Sequence, residues 1–363
     1  MKTIYFTVTN ELVYDQRMIR ICTTLARENY SIVLVGRRYR GAAHLQPHSF
    51  RQVRIFCWFT KGKLFYIEFN TRLLFYLFFK KMDGLCAIDL DTILPCWLVS
   101  RIKRIPRVYD AHELFCEMKE VRTRPLIYSF WKRVEQFAVP GFTSGYTVNL
   151  PIAKEFKRMY GVNYSVIRNI AALHKPEQQP EKTKTFLLYQ GAVNEGRSFE
   201  TLIPAMQYIH VPLVICGDGN FMPQVKILVK KHGVEDKVIF KGRIAPDELK
   251  KITPLATIGI TLFDREGMSN YYSLANRFFD YIHAGIPQLC ADYPAYREIN
   301  EEFEVGLLIT DLSAENIARH INTLLTDSAL YEKLRQNCLA AKQVYNWQNE
   351  ENKLIDFYRN LLH

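Results

Sequence analysis

The sequence predicts an α/β protein made of two Rossmann-like, doubly wound parallel-sheet domains facing an interdomain cleft. Three observations carry this prediction. Apolar runs of strand length alternate with helix-length amphipathic segments, one polar stretch interrupts the alternation near the middle, and the alternation then restarts. With 363 residues, 48% of them hydrophobic and 23% charged, the chain is long enough for about two domains of ordinary size.

In chain order the first half reads as strand "TIYFTV", a helix around Asp15 to Glu28, strands "SIVLVG" and "RIFCW", and a helix around Phe65 to Lys81. It goes on with "GLCAID", a helix around Thr92 to Ile102, "RVYDAH", a helix around Leu126 to Phe137, "GYTVN", a helix from Pro151 and "YSVIRN". The stretch "AALHKPEQQPEKTK" (171–184) is poor in large apolar groups and reads as a linker. The second half supplies "TFLLYQG", "PLVICGDG", "KVIFKG", "IGITLF", "PQLCA" and "GLLI". The expected domains are therefore 1–170 and 185–345, with a final helix near 346–363 packing back on the first.

Bulk properties exclude several classes. Eight cysteines without a CxxC pair lie mostly in apolar segments, which points to reduced, buried thiols and to no cysteine-held metal. The amino terminus reads as a strand and lacks the apolar core and cleavage site of a signal peptide. The most apolar stretch, "LFYIEFNTRLLFYLFFKK" (64–81), is interrupted by Glu68 and Arg72 and is too short between charges to span a bilayer. Two readings of it stay open, a partly buried helix and an aromatic, basic helix resting on a membrane surface. Residues 1–170 hold 27 Lys and Arg against 13 Asp and Glu, so the net charge of +11 is concentrated in the first half. That asymmetry suits an anionic surface or ligand, either acidic lipid or nucleic acid.

In open sheets of this class ligands sit off the carboxyl ends of the strands, so residues directly after strands are the candidates. In "YQGAVNEGRSFETLI" a strand ends at Gln190-Gly191 and Arg197 opens a helix, where oriented N–H groups and a guanidinium can hold a phosphate. "CGDGN" and "FKGRI" place Gly217 and Gly242 after strands, either as ordinary turns or as points of close backbone approach to a ligand. "YDAHELF" brings Asp110, His112 and Glu113 together, with His112 a hydrogen-bonding or proton-transfer candidate, or else with Asp110 capping a structural turn. Asn10, Asp15 and Arg17 follow the first strand and can line the same cleft. Asp89 and Asp91 are too close in sequence to be read as a glycosidase pair. In "SLANRFFDYIHAGIPQLC" a helix carries Leu274, Phe278 and Ile282 on one stripe and Ser273, Asn276, Arg277 and Asp280 on another. The helix alone leaves two readings for Asp280: a solvated face with an Arg277/Asp280 ion pair, or a binding face. No GxxxxGK[ST], GxSxG or HExxH motif is present, which leaves P-loop nucleotidase, serine hydrolase and zincin readings unsupported.

The segments "DQR", "YDAHELF", "VIRNI", "YQGAVNEGR", "VICGDGN", "VIFKGRI", "SLANRFFDYIHAGIPQL" and "YNWQNEENKL" occur in the order found in bacterial retaining GT-B glycosyltransferases of family four, group 1 type, which the chain resembles over almost its whole length. The resemblance implies transfer of a sugar from a nucleotide-sugar donor, UDP- or GDP-linked, to a glycan or lipid-linked acceptor in cell-surface polysaccharide assembly, with no bound metal or cofactor. It implies that Asp280 receives the donor ribose hydroxyls, that the helix start at Ser273, Leu274 and Ala275 holds the diphosphate, that Asn276 and Arg277 also belong to the donor-binding set, with Arg277 in place of the family's commoner lysine, and that Arg197 neutralises the leaving diphosphate. It sets Gly191 and Gly217 beside the donor, Arg243 and Ile244 at the base, and His112 near the donor sugar, giving His112, Arg197 and Asp280 as the catalytic set. Asn10, Asp15, Arg17, Asp110 and Glu113 fall on the acceptor side. The family's second acid, eight residues before the ribose acid, is Tyr272 here, and Glu266 stands nearby as a substitute. The implied location is cytoplasmic, peripheral on an anionic membrane, with no nucleic-acid partner. A non-catalytic nucleotide-sugar-binding scaffold and a nucleotide-sugar 2-epimerase are the alternatives.

Overall fold

The computed structural model describes residues 1–173 and 185–362, so most of the expected linker lies outside the described residues. The chain divides into two compact units, the first comprising Met1–Asn169 with Glu350–His363 and the second Ile170–Asn349.

The first unit is a seven-stranded parallel sheet of β1 (Thr3–Thr7), β2 (Ser31–Arg38), β3 (Arg51–Phe56), β4 (Gly84–Ile88), β5 (Arg107–Ala111), β6 (Ser144–Thr147) and β7 (Ser165–Val166), in the order β3-β2-β1-β4-β5-β6-β7. Its helices are α1 (Gln16–Arg27), α2 (Gly62–Phe78), α3 (Ile93–Lys103), α4 (Lys119–Arg122), α5 (Pro125–Ala138) and α6 (Leu150–Tyr160). The central strands are continuous apolar runs because helices cover both faces of a parallel sheet, and β4 is buried along its whole length. At the edge, β3 is half-exposed and begins three residues before the apolar run "RIFCW", its leading Arg-Gln-Val carrying no strong apolar signal. The segment "YSVIRN" contributes only the two strand residues of β7.

The second unit has a six-stranded parallel sheet of β8 (Leu187–Gln190), β9 (Leu213–Cys216), β10 (Val238–Gly242), β11 (Ile258–Thr261), β12 (Gln288–Ala291) and β13 (Gly306–Ile309), in the order β10-β9-β8-β11-β12-β13. Its helices are α7 (Phe199–Ala205), α8 (Met222–Lys231), α9 (Pro246–Ile252), α10 (Met268–Tyr271), α11 (Asn276–Ala284), α12 (Pro294–Phe303), α13 (Ala314–Thr326) and α14 (Ser328–Val344). Helix α11 stops where Gly285 adopts φ 67°, a left-handed conformation that glycine takes without steric cost, before Pro287 and β12.

The last helix, α15 (Trp347–Leu362), is grouped with the first unit from Glu350 onward. The packing explains it: Tyr358 is fully buried, with its ring 5.8 Å from Phe6 and 6.3 Å from Tyr146. Glu350 accepts the Arg168 amide at 2.8 Å and Glu351 accepts the Thr24 hydroxyl at 3.0 Å. All eight cysteines are buried free thiols.

Candidate functional site

The strand order of the second unit reverses between β8 and β11, the place where an open parallel sheet leaves a crevice off its carboxyl ends. β8 ends at Gln190, and the next residue, Gly191, has φ 123°. A Cβ on Gly217 would stand 1.8 Å from the Gly191 carbonyl oxygen, and one on Gly219 would stand 2.3 Å from that of Val193. The loops after β8 and β9 therefore press together backbone to backbone, which only glycine permits.

Into this corner α11 brings Arg277. Of the two readings of this stripe, the solvated face with an Arg277/Asp280 ion pair fails, because Arg277 is buried. Its guanidinium carbon lies 4.5 Å from the Tyr189 ring centre and 4.7 Å from that of Phe263, so the end of β8 and the second residue past β11 enclose it. Nη1 donates to the Gln190 carbonyl at 3.3 Å, while Nε and Nη2 are buried with no hydrogen-bond partner among the described residues. Burial opposes the charge, yet the rings of Tyr189, Tyr281 and Tyr296 hold its pKa above the ordinary value. A buried cation with unsatisfied donors is costly unless an anion completes it.

Arg197 reaches the same ring, its guanidinium carbon 4.5 Å from the Phe263 centre, and donates to Asn270 Oδ1 at 3.2 Å. Asn270 in turn donates to Asp264 at 3.1 Å. Two guanidinia thus converge on one aromatic platform. Phe263 carries no motif and was not legible from sequence.

One turn along α11, Asp280 accepts a hydrogen bond from Gln190 Nε2 at 2.7 Å, and Thr253 donates to Gln190 Oε1 at 2.8 Å. Gln190, buried at the strand end, thereby links Arg277 through its main chain and Asp280 through its side chain. Before the helix, Ser273 donates to the Asn270 carbonyl at 2.8 Å and the Ala275 amide donates to the Tyr296 hydroxyl at 3.1 Å. Leu274 packs against the apolar cluster beneath α11, whereas Asn276 is exposed. Arg243 and Ile244 follow the edge strand β10, Arg243 exposed and Ile244 packed on a small cluster with Leu188 and Tyr281. Glu266 is exposed and Tyr272 half-buried.

The first unit's sheet reverses between β1 and β4, and the polar residues gather there. His112 lies between two carboxylates, Nδ1 3.2 Å from Asp89 and Nε2 3.3 Å from Asp110, the latter contact lacking hydrogen-bond alignment. Burial opposes the imidazolium, but Asp89 and Asp110 outweigh it and raise its pKa to about 10. At neutral pH this ring is a charged donor and not a base. Asp89 also accepts the His112 amide at 2.8 Å and has φ 52°, a left-handed conformation uncommon in a residue with a side chain.

Arg17 and Asp110 occupy the interior and not the ligand-facing surface expected of them. They form a buried ion pair at 2.8 Å, and Arg17 also donates to the Ile167 carbonyl at 3.2 Å. Burial works against the Asp110 carboxylate, yet Arg17 and then His112 hold its pKa below the ordinary value. Arg17 lies in the first turn of α1 and Asp110 at the carboxyl end of β5, places where a side chain reads as ligand-facing; tertiary contact between residues 93 apart pairs them instead. Asp15 serves as the α1 N-cap, accepting the Met18 amide at 3.1 Å, and Asn10, which is exposed, donates to it at 3.1 Å. Glu113 is half-buried beside His112.

Beside this cluster a cavity of about 340 Å³ is lined by residues including Asn10, Arg37, Lys61, Tyr66 and Asp91. Asp91 takes a 2.7 Å hydrogen bond from Thr9, while its other oxygen and Arg37 Nε are buried with no hydrogen-bond partner among the described residues. Burial raises the Asp91 pKa to about 7, against the Thr9 bond. Arg37, Lys61 and Tyr66 were not read from the sequence, and Asp91 was noted there only to set it aside.

Residues 171–340 match the family model for glycosyl transferases group 1. The region matched includes every group just described in the second unit, and the neighbours of known structure agree on the GT-B fold. Sucrose-phosphate synthase from Thermosynechococcus elongatus is similar with a TM-score of 0.83 at 16% identity, over 99% of each chain. Anabaena Alr3699/HepE, solved with UDP and glucose, is similar with a TM-score of 0.77 at 16% identity, over 99% of this chain and 100% of that one. Among curated relatives, the chitobiosyldiphosphodolichol beta-mannosyltransferase of Candida albicans is 24% identical over 77% of this chain and 66% of its own length. The chain spans about half to two thirds of the length of the curated relatives it matches. The second unit thus resembles glycosyl transferases group 1 by sequence, and the solved neighbours share the fold across both units.

Proposed function

We propose that the protein is a retaining glycosyltransferase that takes a sugar from a nucleotide-sugar donor, UDP- or GDP-linked, and passes it to a glycan or lipid-linked acceptor. The observation that carries this reading is Arg277, a buried guanidinium with two unsatisfied nitrogens, facing the Gly191 loop and sharing the Phe263 ring with Arg197. A diphosphate supplies the missing acceptors, and the glycine-lined loops let its oxygens approach the backbone. As the bond between the sugar anomeric carbon and the β-phosphate oxygen breaks, its electron pair passes to that oxygen, and the two guanidinia stabilise the charge. They do the work that a metal ion performs elsewhere, so the reaction needs none. Asp280, one turn on, accepts hydrogen bonds from the ribose diol. The acceptor hydroxyl oxygen bonds to the anomeric carbon on the face the phosphate leaves, the departing phosphate takes that hydroxyl's proton, and the imidazolium of His112 serves as a donor to a substrate oxygen.

The complex of Alr3699/HepE with UDP supports a nucleotide donor, and the dolichol-borne substrate named for the Candida relative supports a lipid-linked acceptor. The acceptor belongs to the first unit, whose cavity offers Arg37, Lys61 and Asp91. We place the reaction in cell-surface glycan assembly on the cytoplasmic side of a membrane. Tyr272, in place of the family's acid, favours a second reading, a nucleotide-sugar-binding scaffold without turnover.

A thermal-shift panel of UDP-, GDP-, ADP- and dTDP-sugars on the wild type, Arg277→Met and Asp280→Ala tests the donor site. Near saturation, one nucleotide class is expected to add about 3 kcal/mol to the folded wild type. Both variants should lose most of that gain, and ligand-free Arg277→Met should be at least as stable as wild type, because it no longer buries an unsatisfied cation. Stabilisation by no class, or equal stabilisation of the variants, would refute the donor assignment. Nucleotide release only with acceptor supports transfer, release of altered donor without acceptor supports epimerisation, and binding without either supports the scaffold.

A further inference from the structure

Three neighbouring helices of the first unit each turn an apolar stripe to solvent. Helix α2 is apolar on two opposite sides: Phe65, Phe69, Leu73 and Leu77 are buried, whereas Leu64, Ile67, Phe75 and Phe78 are exposed. At 3.6 residues per turn the exposed set falls within an arc of about 80°, centred opposite the buried one. Phe79, just past the helix, is 77% exposed. On α3 the exposed residues Leu94, Leu98 and Ile102 recur at every fourth position, and on α5 Leu126, Phe130 and Phe137 form another stripe. α3 packs against both α2 and α5, with the Trp97 and Phe137 rings 4.8 Å apart, so the outward faces adjoin.

The charge around these stripes has one sign. Residues 61–81, 93–104 and 119–138 hold 13 Lys and Arg against 3 Asp and Glu. Of the acids, Glu68 is engaged by the Trp58 and Phe59 amides, and Glu135 is buried against Lys132. Cations lie directly over aromatic rings of the face, Lys103 5.9 Å from Phe78 and Arg101 5.1 Å from Trp97. Exposed apolar area of this extent marks an interaction site, and the basic rim sets its partner's charge. A second copy of the same face would meet it with like charge.

We propose that the α2, α3 and α5 face docks the protein on an anionic lipid surface, with the apolar side chains entering the headgroup boundary and the Lys and Arg residues meeting lipid phosphates. Among the described residues no helix is long and apolar enough to cross a membrane, which fits a superficial contact. Helix α2 also supplies Gly62, Phe65 and Tyr66 to the wall of the first unit's cavity. A helix seated on lipid therefore sets that cavity beside the bilayer, where a lipid-borne hydroxyl can reach it. This last step rests on the glycosyltransferase reading; the docking does not.

Co-sedimentation of the full chain with phosphatidylcholine vesicles, and with vesicles containing about one third phosphatidylglycerol, is the test. Binding to the anionic vesicles should be at least about tenfold tighter and should weaken with salt. Arg133 is exposed on α5 between Phe130 and Phe137, and the double variants Ile67→Ser/Phe75→Ser and Arg101→Gln/Arg133→Gln should each weaken binding by about tenfold or more and leave nucleotide-sugar stabilisation unchanged. The arginine pair decides the matter if the serine pair loses the nucleotide response through misfolding. Absence of binding to anionic vesicles overturns the proposal, as does binding that survives both double variants. A wild-type dimer dispersed by the serine pair would show instead that the face joins two copies.

Discussion

Between Asp89 and Asp110, His112 takes a proton that an isolated imidazole would have released. Its pKa moves from 6.5 to about 10, so the folded chain holds a proton that the unfolded chain loses across that window. The stabilisation is complete below about pH 6.5 and is lost as pH rises through about 10. Asp91 bends the curve the same way lower down: burial raises its pKa from 3.8 to about 7, and stability falls as pH climbs across that interval. Asp91→Asn should therefore unfold at higher urea than wild type at about pH 8 and show no such advantage at about pH 4. Equal midpoints at the higher pH would mean that the buried carboxylate carries no cost. Neither shift was legible in the sequence, which places the acids near one another but cannot say which becomes enclosed.

Helix α2 shows how an element can satisfy two sequence readings at once. Its apolar stretch was open to a buried or a surface-seated reading, and each describes one side of the helix. The two sides should respond differently to mutation. Leu73→Ala, within the core, should cost about 2–4 kcal/mol in urea unfolding, whereas Phe75→Ser on the outer side should change stability by less than about 0.5 kcal/mol. A large loss at Phe75 would place that side chain in the core. The strands were more legible, since burial on both faces makes each central strand an unbroken apolar run. The edges were less so, because half-exposed β3 and two-residue β7 carry mixed composition.

Across the whole molecule the two sheets share one plan, each reversing strand order once, yet the polar chemistry at the two reversals differs. The second unit offers Arg197 and Arg277; the first offers a histidine held between acids and a cavity with mixed charge. Hydrogen exchange separates their roles. A bound nucleotide-sugar should raise protection at amides within 191–197, 217–219 and 275–280 and leave that of Asp91 unchanged. Protection confined to the first unit would reverse the donor assignment.

What the sequence determined by itself was local: strands, helices, the restart of the alternation near residue 185, and the placement of Gly191 directly after a strand and of Asp280 on a defined helix. Such features follow from periodicity and turn chemistry over a few residues. Tertiary structure alone decided that Arg277 is enclosed by Tyr189 and Phe263, that Arg17 and Asp110 pair across 93 residues, and that the outer sides of α2, α3 and α5 stay uncovered. Burial and charge pairing depend on which distant segments meet, and a one-dimensional pattern holds no record of that.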